Sequence, residues 1–331
     1  MRAMSRPESV RVHVGVTRDN RTVRSRTRVT PTCAAPTTEP VMVVSDLDGT
    51  MVGDDWKTRQ FTDVWRDGTS FPTGSTLVYS TGRTLESFCE LIVDKGAEVM
   101  HPPDALICAV GTKIYNRVDK REPNLIETIL ETLLPKDKDS SELSNWIEDR
   151  DWTENLDKDW SFDVVLRAAE DAIKTIGSDN AHLRPSDEFT EHKITLGVKD
   201  EFVEKVMDSL HKSCNASTPS VTPKVIASGT GGWQYVDVVS NQAGKLESLE
   251  YVRKAYGIEL ERCVACGDSG NDILMLGGKI RAIVVGNAQP ALVQWANSQK
   301  SDDEDGRLFI AKEHEALGIL EGLRKFGLLK A

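Results

Sequence analysis

Four aspartates stand in two tight groups in this sequence: Asp46 and Asp48, separated by Leu47, and Asp268 and Asp272 within Gly267-Asp268-Ser269-Gly270-Asn271-Asp272. Each group directly follows a short apolar run, residues 41–44 and 263–266. If the extended geometry of the first run continues, Asp46 and Asp48 point the same way and Leu47 packs back into the core. Two carboxylates so close repel each other unless a cation or a shared proton relieves them. Carboxylate and carbonyl oxygens converging from two strand ends make a hard-cation site, and magnesium suits all-oxygen ligation with retained waters. An Asx turn closing a strand would account for Asp46-Leu47-Asp48-Gly49-Thr50 taken singly. The second acidic strand end favours the functional reading.

A metal does not by itself define a reaction. Phosphoryl transfer also needs an in-line nucleophile, neutralisation of charge on the equatorial oxygens, and a proton donor for the leaving oxygen. Thr81 follows a third apolar run and offers a hydroxyl and a backbone N–H. Lys245 follows Ala243-Gly244 and opens a helical stretch, 245–254, which places a positive charge close to a helix start. Each also has an ordinary explanation, a helix cap for Thr81 and a solvated surface lysine for Lys245. Charge sharpens the choice. The chain carries a formal charge of -11, while residues 1–39 hold eight Arg against Glu8, Asp19 and Glu39, a local +5, so the remainder carries -11 - 5 = -16. Such an acidic body repels nucleic acid and membrane phosphate. It would repel a phosphorylated substrate as well, so any phosphate site has to be locally positive or hold a metal.

The elements that must position these residues are legible as apolar runs. Residues 41–44, 77–80, 105–110, 263–266 and 282–285 are unbroken and end in polar or glycine-rich clusters, with helical patterns between most of them. That predicts an α/β fold with a parallel sheet covered on both faces, in which ligands bind beyond the carboxyl ends of the strands. Residues 118–240 interrupt the series with helical segments at 125–134 and 163–176 and strand candidates at 194–198, 224–227 and 234–239. They read as an inserted α+β domain, leaving a core of 40–117 and 241–331. Residues 136–142 and 301–306 read as charged surface loops. Length fits about two domains, and no stretch approaches the roughly 18 consecutive apolar residues of a membrane helix, so a soluble protein is expected, with neither membrane nor nucleic acid as partner. Residues 1–39 are rich in Arg, Ser and Thr, a composition shared by organellar transit peptides and by disordered basic tails. Cys263 and Cys266 have a CxxC spacing with no second pair to complete a zinc site, and with Cys33, Cys89, Cys108 and Cys214 they are expected to be core or free thiols in a reducing compartment.

Taken in order, Asp46-Leu47-Asp48-Gly49-Thr50, Thr81-Gly82-Arg83, Lys245 and Gly267–Asp272 resemble the four motifs of the haloacid-dehalogenase superfamily, and the resemblance covers nearly all of 41–329. It implies a Rossmannoid core with Asp46 as nucleophile and Asp48 as general acid/base. It also implies that Thr81, Gly82, Arg83, Lys245 and Asn271 contact substrate, and that Asp46, Asp48 (through its carbonyl), Asp268 and Asp272 form or support a Mg2+ site. Only about thirty residues separate Asp48 from Thr81, whereas about 160 separate Thr81 from Lys245, which looks like the type-two cap of enzymes acting on small sugar phosphates. Stretches 42–52, 79–83, 110–115, 266–273 and 287–295, with the cap pair His192-Lys193, look like segments of the sucrose-6-phosphate phosphatases of plants and cyanobacteria. There are departures. Lys113 replaces the usual acid after Gly-Thr, Leu246 stands where Gly follows the motif lysine, and 231–235 looks inserted before Asp237-Val238-Val239-Ser240. The chain also runs to Ala331, without the C-terminal extension of the plant enzymes.

The resemblance thus implies a phosphatase that releases sucrose from sucrose 6-phosphate, with Lys193 contacting the sugar. Readings that share the mechanism are a phosphatase for a mannose, trehalose or glucosylglycerol phosphate, or a phosphomannomutase-like enzyme. A reading from another class is an inactive domain that binds sugar phosphate and regulates a sucrose-synthesising partner; the intact carboxylates speak against it. Sucrose-phosphate synthase is the partner the resemblance suggests. The resembling enzymes are mostly cytoplasmic, while the transit-like segment points to an organelle such as the plastid.

Overall fold

A computed structural model describes residues 39–118, 142–229, 231–299, 303 and 306–329. Two sheets organise them. The larger has eight strands in the order β12-β11-β10-β1-β2-β3-β4-β5: β1 Met42–Ser45, β2 Thr76–Ser80, β3 Ala105–Cys108, β4 Lys113–Arg117, β5 Trp146–Glu148, β10 Cys263–Gly267, β11 Arg281–Val284 and β12 Leu308–Ile310. Neighbours from β12 to β3 are parallel, and β4 and β5 are added antiparallel at one edge. The central strands have no water-facing side. Val43, Leu77, Tyr79, Leu106, Val264 and Ile283 enter the apolar cluster on one face, and Met42, Val44, Val78, Ile107, Ala265 and Val284 enter the cluster on the other. That is why these strands read as continuous apolar runs. Cys263 and Cys266, three residues apart, fall on opposite faces of β10, are free thiols, and cannot ligate one metal together.

The smaller sheet is antiparallel throughout, in the order β6-β7-β9-β8: β6 Ala181–Leu183, β7 Lys193–Lys199, β8 Lys224–Ser228 and β9 Trp233–Val239. One face packs on the helices Phe162–Ile176 and Val203–Asn215, with Ile194, Leu196, Val198, Val236 and Val238 in the shared core. The strands at 194–198, 224–227 and 234–239 and the helix at 163–176 are therefore present within a residue or two. The segment 125–134, most of the stretch 136–142, most of 301–306, and residues 1–38 lie outside the described residues.

The larger sheet reaches past residue 118, where sequence alone put the start of the insertion. Trp146 lies in its core and β5 pairs with β4, and Trp152 and Leu156 of the following helix, Arg150–Leu156, pack on the opposite face. The chain leaves for the smaller sheet after Leu156 and returns at Ser240, whose hydroxyl donates to Leu156 O at 2.9 Å. Among the described residues no helix is long and apolar enough to cross a membrane.

Candidate active site

Strands β10, β1 and β2 lie side by side in register, Ser45 pairing with both Cys266 and Tyr79. Asp46, Thr81 and Asp268 therefore leave the sheet along one edge, at the carboxyl ends of adjacent strands. Asp46 keeps the strand direction for one more residue, its N–H donating to Cys266 O at 3.0 Å. The chain then turns. The N–H groups of Thr50, Met51 and Val52 all point to Leu47 O at 3.1, 3.0 and 2.8 Å, and Gly49 donates to Val52 O at 2.8 Å. Leu47 is buried, as expected, but the turn ends the extended geometry, so the two neighbouring carboxylates do not share a direction. Asp46 is 6% exposed and points into the site. The Asp48 side chain is 56% exposed and held by the Arg83 guanidinium, Nη2 at 2.7 Å and Nε at 2.9 Å.

Lys245 gathers the buried acids. Its Nζ lies 2.5 Å from Asp46 Oδ1, 2.7 Å from Asp272 Oδ1 and 3.4 Å from Asn271 Oδ1. It is the first residue of the helix Lys245–Ala255 and is almost wholly buried, which removes the surface-lysine explanation. Asp46, Asp268 and Asp272 each bring an oxygen within 4.8 Å of the others. Burial, reinforced by Asp272 and Asp268 and opposed by Lys245, raises Asp46 to about 8. Burial and Asp272 raise Asp268 to about 6 against the Thr50 hydrogen bond and Lys245. Burial disfavours charge on Lys245, but Asp272 and Asp46 outweigh it and hold the ammonium well above the usual lysine range.

These shifts have one origin: three carboxylates face one ammonium in a buried space, a formal excess of two negative charges when all are ionised. A divalent cation matches that excess, and all-oxygen donors suit Mg2+. Asp46, Asp268 and Asp272 are the side chains that would hold it. The Asp48 side chain is not among them.

Several residues that sequence reasoning missed hold this cluster. Thr50 Oγ1 donates to Asp268 Oδ1 at 3.1 Å. Ser269 and Asp272 form a reciprocal capping box, and Asp272 Oδ2 accepts from the N–H groups of Asp268 and Ser269 at 3.2 and 3.1 Å. The Ser-x-x-Asp spacing is a readable signal for that box. Asn287 Nδ2 donates to Gly49 O at 2.7 Å while its Oδ1 accepts from Glu315 N at 2.7 Å. Gly49 adopts φ +83, and a Cβ there would come within 2.6 Å of Asp268 Oδ2. Gly49→Ala is therefore expected to lose about 1–3 kcal/mol of stability to backbone strain, and to weaken any magnesium-induced rise in melting temperature by displacing Asp268. Thermal unfolding with and without the ion checks this; a wild-type response to magnesium would show that Asp268 does not need its present position.

The remaining expected residues divide. Thr81 is buried and its N–H is taken by Ile107 O at 2.8 Å, so its hydroxyl is the group left to meet a ligand; that oxygen also accepts from Arg83 N at 3.1 Å. Behind it, Ala109 and Val110 hold positive φ of 49° and 61°, with Val110 N donating to Thr81 O at 3.2 Å and Ala109 N to Arg83 O at 2.9 Å. Two non-glycine residues in this region cost free energy, and here they brace the Thr81-Gly82-Arg83 loop. Gly82 is exposed at the rim. Lys193 is not in the acidic cluster. It sits on the smaller sheet, buried, 3.5 Å from Asp237 Oδ1, which also accepts from Thr195 Oγ1 at 2.7 Å.

The chain is similar to several known proteins. The solved sucrose-phosphatase of Synechocystis sp. PCC6803, in complex with sucrose and phosphate, superposes with a TM-score of 0.65 at 25% identity, covering 88% of this chain and 99% of that one. The mannosylfructose-phosphate phosphatase of Agrobacterium fabrum is 29% identical over 301 residues, 88% of this chain and 98% of that protein. Sucrose-phosphatase 2 of Nicotiana tabacum is 27% identical over 86% of this chain but 58% of its own length; the chain spans about three fifths of the plant relatives it matches. The fold is that of the haloacid-dehalogenase phosphatases. The sequence model of the sucrose-6F-phosphate phosphohydrolases matches residues 39–145 and 139–327, so the chain belongs to the sucrose-6F-phosphate phosphohydrolase family.

Proposed function

We propose that the chain is a magnesium-dependent phosphatase that hydrolyses sucrose 6-phosphate to sucrose and phosphate through a phosphoryl group carried on Asp46. The observation that carries this reading is the buried Asp46–Lys245–Asp272 contact at a strand end shared with Thr81 and Asp268. Asp46 attacks phosphorus and the bond to the sugar oxygen breaks, that oxygen taking a proton from Asp48. Water then attacks the same phosphorus, giving its proton to Asp48, and the carboxylate of Asp46 is restored with release of phosphate. Lys245 and the Thr81 hydroxyl bind the phosphoryl oxygens. A bound Mg2+ would offset charge between the phosphoryl group and the carboxylates. Asp48 has to leave or turn within the grip of Arg83 to reach the leaving oxygen, so Arg83 acts here on the acid/base rather than only on substrate.

The smaller sheet serves in this reading as the cap. Strand β8 lies against Gly270–Asp272, Lys224 Nζ donates to Ala243 O at 2.6 Å, and Thr112 and Thr190 hydroxyls meet at 3.1 Å. Lys113, unusual at its position, pairs with Glu148 of the larger sheet and with Glu191 beside the cap, each at 2.7 Å. The cap selects the sugar because the strand-end groups reach only the phosphoryl end. Lys193→Ala should raise KM for a sugar phosphate several-fold more than for an aryl phosphate. Equal losses on both would assign Lys193 to folding, through the carboxylate of Asp237 that it leaves buried.

A panel of sucrose 6-phosphate, mannosylfructose phosphate, mannose 6-phosphate, trehalose 6-phosphate and glucosylglycerol phosphate, read by released phosphate, tests the substrate. Preference for sucrose 6-phosphate supports the reading. Preference for mannosylfructose phosphate would favour the second one, which rests on the near-complete coverage of the Agrobacterium fabrum relative. Independently of the catalytic reading, the Arg-, Ser- and Thr-rich composition of residues 1–39 supports a targeting segment as against a basic tail, and a sucrose-phosphate synthase is the natural supplier of the proposed substrate.

A further inference from the structure

The face of the smaller sheet that carries no helix changes character along its length. Register places Lys193, Thr195, Gly197 and Lys199 of β7 opposite Val239, Asp237, Tyr235 and Trp233 of β9, and His182 of β6 opposite Gly197. Alternation puts all of these on the side away from the helices. The inner half is covered: Lys193, Thr195 and Asp237 are buried, and Ile226 of β8 packs with the core of the larger sheet. The outer half is open, with Tyr235 46% and Trp233 40% exposed.

The two rings are not bare. The Arg184 guanidinium stands 5.1 Å from the Tyr235 ring centre and is fixed from behind by both oxygens of Glu188. The His182 ring lies 5.1 Å from that of Trp233, and Lys199 Nζ stands 5.7 Å from the same indole. Between them Gly197 leaves a shallow floor, because a Cβ there would come within 2.7 Å of the His182 ring. The turn that presents Trp233 is tied down, Gly232 N donating to Asp200 Oδ2 at 3.1 Å.

We propose that Tyr235, with His182, Arg184 and Trp233, is a saccharide platform that receives the hexose remote from the phosphate and decides which disaccharide phosphate is accepted. This rests on the cap reading above. A hexose has an apolar C–H face and a rim of hydroxyls, and it is matched by exposed rings edged with planar donors. Tyr235 lies two residues along β9 from Asp237, roughly 7 Å at strand rise, about one sugar ring beyond the covered polar pair Lys193 and Asp237. The stretch 231–235, which looked inserted against the family pattern, is what brings the rings to this face.

The test uses the full chain, as wild type, Tyr235→Ala, Tyr235→Phe and Trp233→Ala, with sucrose 6-phosphate, mannosylfructose phosphate, fructose 6-phosphate and p-nitrophenyl phosphate. Wild-type rates on the two disaccharide phosphates test the substrate reading separately; the variants are scored on whichever the wild type turns over. Tyr235→Ala should raise KM for that substrate about tenfold or more, with kcat changing less. On fructose 6-phosphate and p-nitrophenyl phosphate, which have no second hexose to place, kcat/KM should stay within about twofold. Tyr235→Phe should recover most of the loss, and Trp233→Ala should fall between. Equal losses on all substrates, no loss on the disaccharide, or a wild type that turns over neither disaccharide phosphate would overturn the proposal. So would a change in oligomeric state with unaltered kinetics, which would make the rings a contact between protein chains.

Discussion

Asp46→Asn is expected to lower turnover of the sugar phosphate by at least about a thousandfold, because an amide cannot carry the phosphoryl group between the two displacements. The fold should survive. Asparagine has nearly the same shape, and Lys245 keeps its 2.7 Å partner Asp272, so no buried charge is left alone. The substitution also removes one of three mutually repelling carboxylates, so melting temperature in the absence of divalent ions should equal or exceed that of the wild type. Circular dichroism and phosphate release on the same preparation separate the two effects. Substantial turnover in a folded Asp46→Asn protein would move the nucleophile elsewhere.

Exhaustive chelation should reduce turnover at least about a hundredfold, with recovery on adding magnesium and poor recovery with calcium, whose looser coordination does not hold the same geometry. A second readout is independent of activity. A ligand bound only by the folded state adds about 2.7 kcal/mol of stability at a hundred times its Kd, so magnesium should raise the melting temperature. The sign with pH follows from the acids. Burial holds Asp46 near 8 and Asp268 near 6, above the range near 4 that carboxylates have in an unfolded chain. Between about pH 4 and 8 the folded ion-free protein therefore binds more protons than the unfolded one, and its stability falls as pH rises. The ion needs the deprotonated acids, so its stabilising increment should grow across the same window. An increment independent of pH, or none, would detach these carboxylates from the metal.

The strand ends were legible because the central strands are buried on both faces and cannot hide their apolar runs. Asp46, Asp268, Asp272 and Lys245 all lie where such runs, or a helix start, place them, and the structure brings them together. Edge strands gave little signal. β5 is three residues long with Ile147 62% exposed, and β4 reads Lys-Ile-Tyr-Asn-Arg, so neither shows a clean period. The orientation of Asp48 was missed for a local reason: a turn on Leu47 O, not a continued strand, follows Asp46. Thr50 and Asn287 were missed because their bonds span 218 and 238 residues. The positive φ of Ala109 and Val110 runs against the preference of both residue types, and only tertiary contacts impose it.

The most direct measurement is to stop turnover of sucrose 6-phosphate with acid, reduce with borohydride, and sequence the peptide spanning 42–52 by mass spectrometry. An acyl phosphate is reduced to the alcohol, so Asp46 should appear as homoserine in the wild type treated with substrate and magnesium, and in neither the substrate-free control nor Asp46→Asn. Steady turnover with Asp46 unmodified, or with the mark on another residue, would contradict the account.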